Sequence, residues 1–145
     1  MKTKNKYGTF LIIPVAIAGL VLMSSSIKFP QAKPTDWVAP SFADTMKNPL
    51  KGNANAIAAG KKLYTTYCVA CHGEKGKGDG PAAASLNPRP ANHSSDKVQK
   101  QSDGAIFWKL TKGRSPMASY EKILTAPQRW QLVDYIRTLK ATTSK

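Results

Sequence analysis

Cys68-Val69-Ala70-Cys71-His72 gathers three reactive side chains into five consecutive residues, and it holds both cysteines of the chain. At the end of a helix, residues i and i+3 project from one face. Two thiols so placed reach the two vinyl groups along one porphyrin edge and form thioethers, and the next residue turns its imidazole under the iron. Cys-x-x-Cys-His is accordingly the attachment signature of c-type haem. Neutral imidazole suits iron, and the covalent links hold the ligand at high effective concentration. Three other chemistries fit less well. A thioredoxin-like redox pair wants a preceding strand and a βαβ setting, whereas this motif closes a helical pattern and a Gly-rich stretch follows it. A structural disulfide across two intervening residues is strained, and a zinc site has no ligands beyond His72 and His93.

The elements that position the motif are helical. Asn55 can cap a helix over about 56–68, on which Gly60, Leu63, Tyr64 and Tyr67 share one face. Residues 73–92 carry Gly76, Gly78, Gly80, Pro81, Pro88 and Pro90 and read as loop. A short helix is expected over 104–112, capped by Asp103, turning Ile106, Phe107 and Leu110 inward and stopped by Gly113. A second loop follows over 114–124. Thr125 and Gln128 form a capping box for a last helix over about 126–140, with Pro127 in its first turn and Leu132, Tyr135, Ile136 and Leu139 on one face. No alternating strand pattern rises anywhere, so the expected class is all-α.

The chain has 145 residues, with 22 Lys plus Arg against 8 Asp plus Glu and a formal charge of +14. That length holds one domain, and 41% hydrophobic residues argue against a wholly disordered or multi-span chain. Two cysteines exclude a multi-disulfide scaffold and a four-Cys zinc site. Residues 1–28 carry four lysines, no acid and the apolar run 10–23, which reads as a signal peptide or, extended to Ile27, as a single membrane anchor with Lys2, Lys4 and Lys6 on the cytoplasmic side. Either way the remainder is exported. Residues 29–53, with Pro30, Pro34, Pro40 and Pro49, read as a connector, either a tether or an arm that wraps the domain through Trp37, Val38 and Phe42. Residues 54–145 form the haem domain.

This domain resembles the mono-haem class I cytochromes c. Gly60 and Tyr64 stand eight and four residues before Cys68, and the resemblance implies that they meet Leu132 and Tyr135 where the first and last helices cross. The run Gly73-Glu74-Lys75-Gly76-Lys77-Gly78-Asp79-Gly80-Pro81 is similar to the Gly-rich loop of bacterial members. The implied fold is a small class I cytochrome c fold, three to five helices around one covalently bound haem c. Cys68 and Cys71 would carry the thioethers and His72 the first axial bond. The resemblance also implies a Met as the sixth ligand. Met117, in 113–120, is the one methionine after the motif. His93 competes, but it lies in a polar segment that favours a solvated imidazole. A Pro carbonyl, of Pro88 or Pro90, is implied as acceptor for the other His72 nitrogen.

Six ligands leave no open iron site, so the expected function is one-electron transfer rather than catalysis, in a respiratory chain. Alternatives are a haem-bearing relay subunit of a larger membrane oxidoreductase complex and, further off, a haem-based gas or redox sensor. The domain holds 15 Lys plus Arg against 6 acids, a net +9. Lys75, Lys77, Lys109, Lys112 and Arg114 are expected to frame the haem and steer acidic docking surfaces on redox partners such as a quinol-oxidising complex, a terminal oxidase or a reductase. Arg89 and Arg114 are candidates for propionate contacts. Export and the lack of interleaved stacking aromatics argue against nucleic acid. The expected location is periplasmic, soluble or tethered by the N-terminal segment.

Overall fold

Asn53, extended at φ −73° and ψ 116°, starts the first helix of the computed structural model, which describes residues 36–141. Its side chain accepts from the amides of Asn55 and Ala56 at 2.9 and 3.1 Å, so helix α1 runs Ala54–Tyr67. The cap therefore falls two residues before the expected Asn55. An N-cap must be extended, and Gly52, at φ +76°, turns the chain so that Asn53 is the residue that meets this condition. Helix α2, Val69–His72, follows after a break at Cys68, and α3 spans Asp96–Gln99. Helix α4, Asp103–Lys112, is capped by Ser102, which accepts from Ala105 N at 3.0 Å; Asp103 sits inside the first turn, and its carboxylate pairs with Arg137 at 2.6 Å. Helix α5, Ala126–Thr138, shows the expected Thr125/Gln128 capping box. Among the described residues there is no strand, and the class is all-α.

Helices α1 and α5 cross at Gly60. A Cβ there would stand 2.0 Å from the carbonyl oxygen of Gln131 and 3.0 Å from Tyr135 Cβ, so the backbones touch only because position 60 has no side chain. One turn on, Tyr64 is buried against Tyr135 with ring centroids 5.1 Å apart, beside fully buried Leu132, Val133 and Ile136. Each such side chain contributes about 1.5–3 kcal/mol by leaving water. Phe107 and Trp130 stack at 4.0 Å and join α4 to α5.

Residues 36–53 wrap the domain. Ala43 is fully buried in a 3-10 turn, Ser41–Thr45, and its carbonyl lies where a Cβ on Gly104 would be 1.9 Å away. Asn48 donates to Asp134 at 2.8 Å, and Trp37 meets the edge of Trp108 at 6.4 Å. Of the three side chains expected to dock, only Trp37 packs; Val38 and Phe42 are 77% and 59% exposed. The proposed signal or anchor segment, 1–28, lies outside the described residues. Among the described residues, no helix is long and apolar enough to cross a membrane.

Candidate functional site

The motif lies where α1 hands over to α2. Cys68 closes α1 by donating its N–H to the Tyr64 carbonyl, 2.9 Å, and its own carbonyl accepts from His72 N at 2.8 Å, so the five residues form one helical turn. Cys68 and Cys71 are free thiols, the first buried and the second half-buried. Burial, with a smaller contribution from Cys71, pushes the Cys68 thiol up to about 12, so it is protonated at neutral pH.

His72 is buried, and burial holds its pKa below the ordinary value, so the ring is neutral. Its Nδ1 lies 2.9 Å from the carbonyl of Ala91. A carbonyl can only accept, so Nδ1 carries the proton and Nε2 keeps its lone pair for a metal. The acceptor is thus neither Pro88 nor Pro90 but the residue after them. Pro88 and Pro90, each with φ fixed by its ring, lead the chain into the carbonyl that meets the imidazole.

The loop between motif and acceptor is tied down by its own backbone. Gly78 N donates to His72 O at 2.8 Å, Gly80 N to Cys71 O at 3.2 Å and His93 N to Gly76 O at 2.6 Å. Gly73, Gly76 and Gly78 have φ of +75°, +68° and +76°, the left-handed region open to glycine, so the Gly-rich spelling is a backbone requirement.

His93 departs from expectation. It is 8% exposed, not solvated, and its ring stacks on His72 with centroids 4.0 Å apart and planes at 16°. Axial partners on one iron point their nitrogens at each other across the metal, whereas these rings meet face to face, so His93 does not oppose His72. Tyr64 Oη lies 3.1 Å from His93 Nδ1 and 3.3 Å from the Gly73 carbonyl. Sequence reasoning missed this pair, because a lone His among Asn and Ser carries no periodicity that signals burial.

Met117 sits in a tight turn closed by paired backbone hydrogen bonds with Arg114, at 2.8 and 3.0 Å, and its half-buried side chain packs on the core. Gly113 ends α4 at φ +64°, and Ser119 Oγ bonds the Thr111 carbonyl at 2.6 Å. Tyr120 bonds the Tyr67 carbonyl at 3.0 Å and so links this loop to the end of α1, one residue from Cys68. Two free thiols one turn apart, beside an oriented neutral imidazole, can take a flat prosthetic group at two covalent points and one coordinate bond. A family model for cytochrome c matches residues 57–140.

The chain belongs to the cytochrome c family. Membership implies the covalently bound c-type haem of that family. A solved chain of the Kuenenia stuttgartiensis reducing HAO-like protein complex Kustc0457/Kustc0458 is similar at 30% identity and TM-score 0.58 over 66% of this chain. This cytochrome spans 50% of that chain's length. The solved KustC0563 c-type cytochrome is similar at 28% identity and TM-score 0.50, over 57% of this chain and 98% of its own. No curated protein matches.

The cations expected around the haem divide into two sets. Lys75 and Lys77 are exposed on the Gly-rich loop. Lys112 pairs with Glu121 at 3.2 Å, while Lys109 and Arg114 lie over the Trp37 ring at 5.7 and 5.1 Å, where they anchor the arm. Arg89 is exposed.

Proposed function

We propose that this cytochrome carries one haem c bound through Cys68 and Cys71, with His72 and Met117 as axial ligands, and that it acts as a one-electron carrier with no substrate chemistry of its own. The observation that carries the reading is the His72–Ala91 bond beside two free thiols, which presents one bare imidazole nitrogen next to two attachment points. When bound, haem supplies an Fe(III)/Fe(II) couple. The Met117 thioether is neutral and favours the ferrous state, raising the potential. The Met117 turn and the Tyr120–Tyr67 bond fix the backbone of the loop that carries the sulfur.

The leader 1–28 supports export to the periplasm, as a soluble protein or one tethered by that segment, within a respiratory chain. Exposed Lys75 and Lys77 beside the motif support docking on acidic surfaces of redox partners, a quinol-oxidising complex on one side and a terminal oxidase or reductase on the other. A second reading is a relay subunit of a larger oxidoreductase complex. It is favoured by the likeness to part of a longer chain from a protein complex. Purification separates the two: a carrier isolates alone, a subunit at fixed stoichiometry.

The ligand assignment is tested by absorption spectra of the haem-loaded protein, oxidised and reduced, with and without CO, for wild type and Met117→Ala. Wild type should ignore CO, and the variant should bind it and lose the weak thioether-to-iron charge-transfer band. Wild type that binds CO like the variant would remove Met117 from the iron and bring the sensor reading forward.

A further inference from the structure

We propose that His93 is a positioning residue for the proximal ligand: its ring, stacked on His72 and tied through Tyr64 to Gly73, sets the plane of the His72 imidazole. The inference rests on the reading that His72 ligates the haem iron. A single bond from Nδ1 to Ala91 O fixes the tautomer and one direction in the ring plane, but the ring can still roll about that line, because the terminal torsion of His is broad. A face contact blocks the roll. His93 supplies it at 4.0 Å, with the planes only 16° from parallel.

A stack orients its neighbour only if it is itself rigid, and His93 is held at its amide, its carbonyl and its Nδ1. Its amide donates to Gly76 O at 2.6 Å, and its carbonyl accepts from Gln99 Nε2 at 2.7 Å, a side chain that also bonds the Ile136 carbonyl of α5 at 2.8 Å. At the ring, Tyr64 has one hydroxyl proton and two neighbours. The Gly73 carbonyl can only accept, so both contacts are satisfied when Tyr64 donates to Gly73 O and His93 Nδ1–H donates to Tyr64 Oη. The relay therefore returns to the residue after His72. Gly76 makes room for it: a Cβ there would be 3.0 Å from His93 Cβ and 3.3 Å from Tyr64 Oη. The imidazole plane is thus referenced, through Tyr64 and Gln99, to the α1–α5 crossing.

The plane of an axial imidazole sets how unpaired spin spreads over the haem in the oxidised protein, so the proton NMR pattern of the haem methyls reports it directly. The test compares holoprotein of wild type, His93→Ala, His93→Phe and Tyr64→Phe by that pattern and by midpoint potential. His93→Ala should reorder the methyl shifts and move the potential, and His93→Phe, which keeps a flat face but loses the bond to Tyr64, should fall between His93→Ala and wild type. An unchanged pattern in His93→Ala, or a His93→Phe pattern as altered as that of Ala, overturns the proposal. Where His93→Ala does not fold, Tyr64→Phe serves: it keeps the ring and releases its tether, so the shifts must move, and a wild-type pattern overturns the proposal. A His72→Gly control keeps the premise separate. Loss of the low-spin spectrum, restored by added imidazole, upholds His72 as ligand whatever the His93 variants do; an unchanged low-spin spectrum overturns that reading and the proposal with it.

Discussion

Gly60→Ala sets two physical effects of opposite sign against each other. In an isolated helix the change is favourable by about 1 kcal/mol, because glycine loses more backbone entropy than alanine. In this fold the new methyl would lie 2.0 Å from Gln131 O and 2.6 Å from Gln131 C. An ordinary contact needs roughly 3.4–4 Å, so the axes must separate by more than about 1 Å. The obstacle is backbone in the middle of α5, which has no rotamer to change, and the separation also loosens Tyr64, Leu132 and Tyr135. Overpacking of this kind costs about 1–3 kcal/mol and sometimes more, and the upper end applies where backbone meets backbone. The net expectation is a loss of about 2 kcal/mol. With a urea slope near 2 kcal/mol/M, the midpoint falls by about 1 M. The assay is urea unfolding of the holoprotein, followed by far-UV circular dichroism and the haem Soret band together. Ala58→Gly, at an exposed position on the same helix, is the control and should cost about 1 kcal/mol by propensity alone. A Gly60→Ala protein as stable as wild type, or more so, would refute the claim that the backbones touch there.

Trp37→Ala should lower stability by about 2 kcal/mol, since it removes one aromatic edge contact and two cations over a ring, and Trp37→Phe should recover part of it; equal unfolding midpoints would show that the arm is only laid on the surface. Asp134 is buried, and burial raises its carboxyl above 3.8, opposed by the hydrogen bond from Asn48, supported by nearby Asp103 and opposed further by the Gly52 backbone and Arg137. Because the folded form holds the proton more tightly, its contribution to stability is full below about pH 3.8 and is lost as pH rises through the folded value. Unfolding free energies across that window should slope downward in wild type relative to Asp134→Asn, and parallel curves would sink the assignment. The Cys68→Ala, Cys71→Ala double variant should release its haem on a denaturing gel, whereas wild type retains it. Electron exchange with an acidic partner should slow with added salt, and Lys75→Gln with Lys77→Gln should flatten that dependence, while Lys112→Gln should change it less because Lys112 is already paired with Glu121.

The motif and the long helices were legible in the amino-acid order because each depends on spacing within a few residues. Cys68, Cys71 and His72 fall on one turn by number alone. The Thr125–Gln128 box and the i, i+3, i+4 pattern of α5 are equally local, and Gly60 with Tyr64 announced a close crossing. Caps were misplaced by one or two residues, at Asn55 and Asp103, because several polar residues stand side by side and the backbone angle, not the residue type, selects among them. What only the tertiary structure decided lies across loops. The Ala91 carbonyl reaches His72 from 19 positions away, and His93 meets Tyr64 across 29. Residues 36–53 became part of the domain through Ala43 against Gly104 and Asn48 against Asp134. None of these contacts has a period. Each depends on the path of a Gly- and Pro-shaped loop, set by backbone hydrogen bonds such as His93 N–H to Gly76 O, and local spacing specifies a helix face but not where a loop returns.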